Sequence, residues 1–332
     1  MLRPPRGLGA VAAGLIAALT LTACGSTEPD DAGTGGWTYK SGDGKTYTAD
    51  KKPERIIAQG EAAAALMSFG IKPKGVFLND KLENVKALEG FDMSGIEILG
   101  ETWGEIDAEK AASLNPDLIV TTYWPVEKSY GGLEDGVKEE AKKVGKLATV
   151  VGPTAGESVV TMIDGFESLA DSLDADLDDP EIAKNKADFE KARDRFQDVV
   201  KEKEGLTALG VSPAADLLYV AVPEHSAELT DFTEWGLDVT VPRDPDPKFP
   251  YWENLSWENA DKYQPDLILM DDRTYETSVK TAEKQPTWKK IKAADEGAVV
   301  PWPAYWISTY AAYAEELDKL TDSIEEADPD LT

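Results

Sequence analysis

Residues 106–123, IDAEKAASLNPDLIVTTY, have a close echo at residues 255–272, LSWENADKYQPDLILMDD. Setting Pro265-Asp266 on Pro116-Asp117 gives an offset of 149 residues, which also pairs Glu258 with Glu109 and Ala260 with Ala111. Each copy opens on a polar residue suited to cap a helix, Asp107 or Ser256, with a glutamate two residues on. Asn-Pro or Gln-Pro then stops the helix, because a residue preceding proline is driven out of the α region. The apolar runs DLIVTTY and DLILMDD read as buried parallel strands. Two helix–proline–strand units half a chain apart predict two similar α/β lobes.

The rest of the chain extends that pattern. Residues 37–52 alternate aromatic and polar around Gly42-Asp43-Gly44, as a small edge hairpin does. Strands are predicted at residues 55–59, 74–78, 97–99, in the first repeat copy and at 147–151, with helices at 61–69 and 132–144. The rhythm breaks at Thr154, where Thr154 and Glu157 read as a capping box opening a helix to about residue 173. An acidic kink follows, then a helix from Pro180 to about residue 204, with Ile182, Phe189, Ala192, Phe196 and Val199 at helical spacing. Alternation resumes with residues 216–222, 228–235, 239–241, the second repeat copy, 285–291 and 298–302, and closes on a helix at 308–326. The expected fold class is α/β: two Rossmann-like lobes with parallel-rich sheets, joined by a long rigid α-helix, with a ligand cleft between them. The lobes are placed at residues 37–153 and 206–332, with a helical connector at 154–205.

Ahead of the first lobe, Arg3 and Arg6 precede an apolar run that ends Leu21-Thr22-Ala23-Cys24. The run is shorter than the roughly 20 residues of a spanning helix and reads as a secretory signal. The Leu-x-Ala-Cys ending resembles a bacterial lipoprotein signal. This gives a signal peptide at 1–23, lipidation at Cys24, and a flexible polar tether through residue 36. Cys24 is the only cysteine, so no disulfide competes for it. Losing Arg3 and Arg6 with the signal lowers the 34 basic residues to 32 against 63 acidic ones, a net charge of −31. Such a surface repels nucleic acid and anionic headgroups.

Catalytic chemistry finds little to work with. His225 is the only histidine, and no G-x-S-x-G elbow accompanies it. Residues 152–158 suggest a phosphate loop but lack its Gly-Lys-[Ser/Thr] ending, and residues 174–185 depart from a calcium loop at the sixth and twelfth positions. Zinc or manganese would want histidines that are absent. No catalytic residue, resident metal or cofactor is expected.

The aromatics carry more. Trp103, Tyr123, Trp124, Tyr251, Trp252, Trp302, Tyr305 and Trp306 sit at or just past predicted strand ends, beside Gly, Pro or polar residues that mark loops. Two readings stand: they cap the sheets as core, or they line the rim where parallel α/β sheets bind ligands. A wide aromatic cleft suits a bulky, partly apolar ligand. Of the arginines beyond the signal (Arg55, Arg193, Arg195, Arg243 and Arg273), only Arg243 and Arg273 are placed to reach such a cleft. A strongly anionic ligand wants a cluster of bidentate cations. A neutral or weakly charged one fits better.

The ERIIAQGEAAAALMSFGIKPKGV opening at residues 54–76, the two E-x₆-PDLI units and the PTWKKIKAADEGAVVPW tail at residues 286–302 together resemble the substrate-binding lipoproteins of bacterial ABC importers, of the siderophore/vitamin B12 class. That resemblance implies two α/β lobes on a rigid helix and a ligand-binding role without catalysis. It implies that Glu109 and Glu258 dock onto a permease dimer with its ATPase, although a glutamate in a helix's first turn is also favoured by the dipole alone. It implies ligand contacts at Trp103 and Trp252, more loosely at Tyr123 and Trp124, and at Arg243, Arg273 and the Trp302–Trp306 loop. The scarcity of arginine favours a ferric hydroxamate of the ferrioxamine sort, with iron present only inside the siderophore. A corrinoid or haem is the alternative cargo. The expected protein is a monomer, lipid-anchored at the outer face of the cytoplasmic membrane, with no nucleic-acid partner.

Overall fold

The computed structural model describes residues 36–331, so the signal, Cys24 and most of the tether lie outside the described residues. Strands β1 (Trp37–Lys40) and β2 (Thr46–Ala49) pair antiparallel as the expected edge hairpin. There follow β3 (Ile56–Gln59), α1 (Gly60–Ser68), β4 (Gly75–Leu78), β5 (Glu97–Glu101), α2 (Ala108–Ser113) and β6 (Leu118–Val120). A second small hairpin, β7 (Tyr123–Trp124) with β8 (Ser129–Tyr130), leads to α3 (Glu139–Val144) and β9 (Thr149–Val151). Strands β5-β4-β3-β6-β9 form an all-parallel sheet in that order. Helix α3 covers only the end of the predicted 132–144. Gly132 and Gly136 adopt φ of 76° and 105°, so the chain turns there before the helix starts.

The connector is α4 (Val159–Ser172) and α5 (Pro180–Glu202). The cap of α4 differs from the expected Thr154 box. Ser158 accepts the N–H of Thr161, while the Thr154 hydroxyl donates to the Gly42 carbonyl and ties the first hairpin down. Asp179 caps α5, with Pro180 in the first turn where its missing N–H costs nothing.

Beyond it come β10 (Thr207–Pro213), β11 (Leu217–Ala221), α6 (Ala227–Glu234), β12 (Asp238–Val239), β13 (Trp252–Ser256), β14 (Leu267–Asp271), α7 (Tyr275–Glu283), α8 (Lys292–Asp295), β15 (Val299–Trp302) and α9 (Tyr310–Glu326). The sheet order is β13-β11-β10-β14-β15, with β12 also on β10. It is mixed, not parallel throughout, because β11 runs antiparallel to both β10 and β13. The expected order omitted β10, its hub. Residues 207–213, TALGVSP, carry Gly, Ser and Pro, which read as loop until neighbours on both sides supply their hydrogen bonds.

The repeated unit keeps its strands and changes its helix. In the first copy Asp107 caps α2 by accepting the Lys110 N–H. In the second, Ser256 ends β13, makes no side-chain cap, and leads into a 3₁₀ helix, Trp257–Lys262. The proline–aspartate pair does the same work twice. The Asp117 carboxylate accepts the N–H of Arg55 at 2.7 Å, just ahead of β3. Asp266 accepts the N–H and hydroxyl of Thr207, the first residue of β10, at 2.9 and 2.7 Å. Each aspartate thus registers its own strand against the central neighbour.

The described residues pack as one compact unit, and the connector is its spine. Helix α9 lies along α5, where Phe189 stacks on Tyr313 at 5.2 Å and packs at a tilt on Tyr310 at 5.7 Å. Tyr310 also meets Phe69, beyond α1 in the first lobe. Buried Asp231 on α6 accepts both the Val159 N–H of α4 at 3.0 Å and the Tyr313 hydroxyl of α9 at 2.8 Å. Both lobes are therefore bolted to the same helices, which leaves few hinge positions between them.

Candidate functional site

A cavity of about 690 Å³ opens between the two sheets. Every strand of the parallel sheet supplies lining from its C-terminal side: Gln59 at the end of β3 and Glu61 just past it, Asn79 after β4, Trp103 after β5, Thr122 and Trp124 after β6, and Ala155 and Gly156 after β9. The opposite wall comes from the start of α6 (Glu228), the loop entering β13 (Lys248–Trp252), and the segments after β14 (Arg273) and β15 (Tyr305, Ile307). In α/β sheets the strand ends are where backbone groups and loops are free to meet a ligand.

Six of the ten proposed ligand residues line this cavity: Trp103, Trp124, Tyr251, Trp252, Arg273 and Tyr305. Trp103 is 43% exposed. Gly131 makes room for it, since a Cβ there would come within 3.2 Å of the Trp103 ring and 3.0 Å of the Trp124 Nε1. Trp252 begins an antiparallel-paired strand where a position past a strand end was expected, and packs at a tilt against Trp302 and Tyr305 at 6.3 and 6.0 Å. Tyr305 has φ of 64°, a conformation that costs a bulky residue on the order of 1–3 kcal/mol. The carboxylate of Glu228 holds it there by accepting its N–H at 2.8 Å. The ring then lies 5.2 Å from the Arg273 guanidinium.

The other four proposed contacts do not line the cavity. Trp302 is fully buried and serves as core beneath Trp252 and Tyr305. Trp306 turns its indole N–H to Asp272 at 2.9 Å, with the Lys86 ammonium 5.6 Å over its ring. Tyr123 packs on Tyr130 in the β7–β8 hairpin. Arg243 is exposed, and its N–H is bound by Glu253 and the Tyr263 hydroxyl, a cluster fastened by Lys262. His225, the only histidine of the chain, packs edge-on against Tyr251 at 5.6 Å and does not line the cavity.

The aromatics concealed the acids. Glu61, Glu127, Glu134 and Glu228 all line the cavity. Burial raises the Glu228 carboxyl to about 8, although the backbone N–H groups it accepts and the Arg273 charge pull it the other way. Burial likewise raises Glu61 to about 7. Arg273 is itself paired with Asp271, through contacts of 3.0 and 2.5 Å. Glu61 and Glu228 sit in helix first turns and look like dipole partners in a sequence, while Glu127 lies in a turn and Glu134 in a bend, so only the tertiary arrangement reveals the four as a wall. Contacts also join the two sides. Tyr251 donates to Glu127 at 2.7 Å and packs edge-on to Trp124 at 5.9 Å, and outside the cavity Lys86 pairs with Asp272 of the other lobe at 2.6 Å.

Among the described residues no cluster of three or more His, Cys, Asp or Glu is arranged to hold a metal ion, and no helix is long and apolar enough to cross a membrane. Glu109, in the first turn of α2, and Glu258, in the 3₁₀ helix, are both exposed.

The family model for periplasmic binding proteins matches residues 99–306, a span that takes in most of the cavity wall. The chain belongs to the periplasmic binding protein family. As a family member it is a binding receptor, not an enzyme. It superposes on the ferric-siderophore receptor protein DesE from Streptomyces coelicolor with a TM-score of 0.79 and 31% identity, over 88% of this chain and 99% of that one. The Fe(3+)-citrate-binding protein YfmC of Bacillus subtilis is 24% identical over 293 residues, 86% of this chain and 85% of its own length. FhuD2 from Staphylococcus aureus, solved with bound ferrioxamine B, shares the fold at a TM-score of 0.57 and 18% identity, over 82% of this chain and 97% of that one.

Proposed function

We propose that this binding protein is the lipid-anchored receptor of an ABC importer, which captures a ferric hydroxamate siderophore and hands it to a membrane permease. The siderophore receptor from Streptomyces, similar over nearly its whole length, supports the siderophore class. The observation that carries the hydroxamate assignment is the charge of the cavity wall. Six aromatic residues offer stacking surface, four glutamates stand among them, and the one arginine is tied to Asp271. A ferric citrate or triscatecholate complex is a polyanion and calls for clustered bidentate cations. A trihydroxamate complex is neutral at its iron centre and demands none. The name of the Bacillus relative specifies ferric citrate; the wall here favours another charge class. The siderophore fills the metal's coordination, so iron arrives as cargo within it.

Docking on the permease falls to Glu109 and Glu258, exposed and equivalent by the repeat. The helix dipole explains Glu109 in part, but Glu258 sits on a six-residue 3₁₀ helix with little dipole to satisfy. Iron uptake in cells depending on this receptor tests the reading. With the ferric hydroxamate supplied, the Glu109→Ala, Glu258→Ala double variant should bind it normally and import little iron. Normal import by the double variant would remove the docking role, and absence of hydroxamate-dependent import in the wild type would remove the function.

A further inference from the structure

We propose that the cleft selects iron complexes bearing a net positive charge, in the form of a pendant protonated amine, and that Glu134 and Glu127 are the residues that read it. The inference rests on the ferric-hydroxamate reading and sharpens its ligand class.

All four cavity carboxylates are held by neutral donors. Glu61 is met by the side-chain amides of Gln59 and Asn79, and Glu228 by the Tyr305 N–H and the Ser226 hydroxyl. Glu127 accepts the Tyr251 hydroxyl, and Glu134 accepts the Trp103 indole N–H at 2.5 Å. Among the described residues none of the four stands in an ion pair with a lysine or arginine. Two cations reach the wall: Arg273, matched by Asp271, and Lys248, exposed on the mouth loop. The cavity therefore carries more negative charge than its own residues compensate, within a chain whose net charge is already −29.

The four acids are not equivalent. Glu61 and Glu228 share the field of Arg273, and their burial favours the neutral carboxyl. Among the described residues neither Glu127 nor Glu134 is in an ion pair, and Lys248 is exposed on the mouth loop. Glu134 moreover has one oxygen on Trp103 and the other buried without a hydrogen-bond partner. Trp103 presents an exposed indole beside it, and indole faces attract ammonium groups. A carboxylate and an indole side by side, the carboxylate in no ion pair with a lysine or arginine of the protein, form a complementary seat for an alkylammonium. The same wall repels polyanionic complexes.

The test compares two ferric complexes with the same metal centre: a linear trihydroxamate ending in a free primary amine, and its N-acetylated form. Their affinities are read by tryptophan quenching. The amine form should bind on the order of tenfold more tightly at low salt, and the ratio should shrink as ionic strength rises. Glu134→Gln keeps an acceptor for the Trp103 N–H and removes the charge, so it should bring the ratio close to one. Glu127→Gln, on an exposed hairpin tip, should lower it as well and gives a second reading if the first variant folds poorly. Equal affinities in the wild type, or an unchanged ratio in both variants, would overturn this inference alone. Failure of both complexes to bind would overturn it together with the hydroxamate reading.

Discussion

Lys86 and Asp272 stand 186 positions apart in the chain, one in each lobe, and meet at 2.6 Å. Asp272 is buried, and the Trp306 indole N–H takes its other oxygen. Burial raises the Asp272 carboxyl and the Lys86 charge offsets part of that rise. Lys86→Ala would leave a buried carboxylate with one neutral donor. Because Lys86 is itself part-exposed, the loss should be about 1–3 kcal/mol, below that of a fully buried pair. Chemical denaturation of the ligand-free protein checks this. A loss under about 0.3 kcal/mol would show that the contact is solvated and inert.

Asp117 and Asp266 do the same job at different depths, so their removal should cost different amounts. Asp266 is buried and accepts two donors of Thr207. Asp117 is partly exposed. Asp266→Ala should cost about 2–3 kcal/mol and Asp117→Ala about 1 kcal/mol, since stranding a buried donor carries its desolvation penalty. Parallel urea titrations of the two variants would settle the order. The reverse order would refute the shared registering role.

The aromatics sort into two kinds that affinity and stability separate. Trp302→Ala opens a hole in a fully buried site and should lower stability by about 3–5 kcal/mol. Trp103→Ala, at a half-exposed ring, should leave the unfolding midpoint nearly unchanged and weaken ligand binding several-fold. Thermal melts paired with binding titrations distinguish them.

Glu228 makes stability depend on pH in a definite direction. Its folded carboxyl, pushed up to about 8 by burial, keeps a proton that an unfolded glutamate has already lost. The folded state therefore binds more protons between the ordinary glutamate range and pH 8, and its stability falls as pH rises through that window. Against Glu228→Gln, the wild type should lose on the order of a few kcal/mol between pH 5 and pH 8. Parallel pH profiles of the two proteins would contradict the raised carboxyl.

Much of the architecture was legible because periodicity and proline placement are local. The duplicated Pro-Asp-Leu-Ile strands, the edge hairpin and the apolar spacing of α5 all sit where the sequence puts them. Strand β10 was hidden because a central strand can tolerate Gly and Ser once both edges are paired. Ser256 misled for a related reason: the same residue types cap helices and end strands, and only the β11–β13 ladder decides. Within the site, Trp103, Trp124, Tyr251, Trp252 and Tyr305, aromatics near turn residues, line the cavity. Trp302 carried the same local signal yet is core, because burial is set by what packs above it. The four glutamates gave no local signal, since a carboxylate without a counter-ion is visible only once the walls are assembled.

The most direct measurement is a tryptophan-fluorescence titration of the ligand-free protein with four iron complexes: a ferric trihydroxamate, a ferric triscatecholate, ferric citrate and haemin. Trp103, Trp124 and Trp252 line the cavity, so an iron complex seated there should quench them. The expected result is saturable quenching by the trihydroxamate, with at least tenfold weaker responses to the other three. Saturable quenching by citrate or the catecholate, with none by the trihydroxamate, would contradict the assignment.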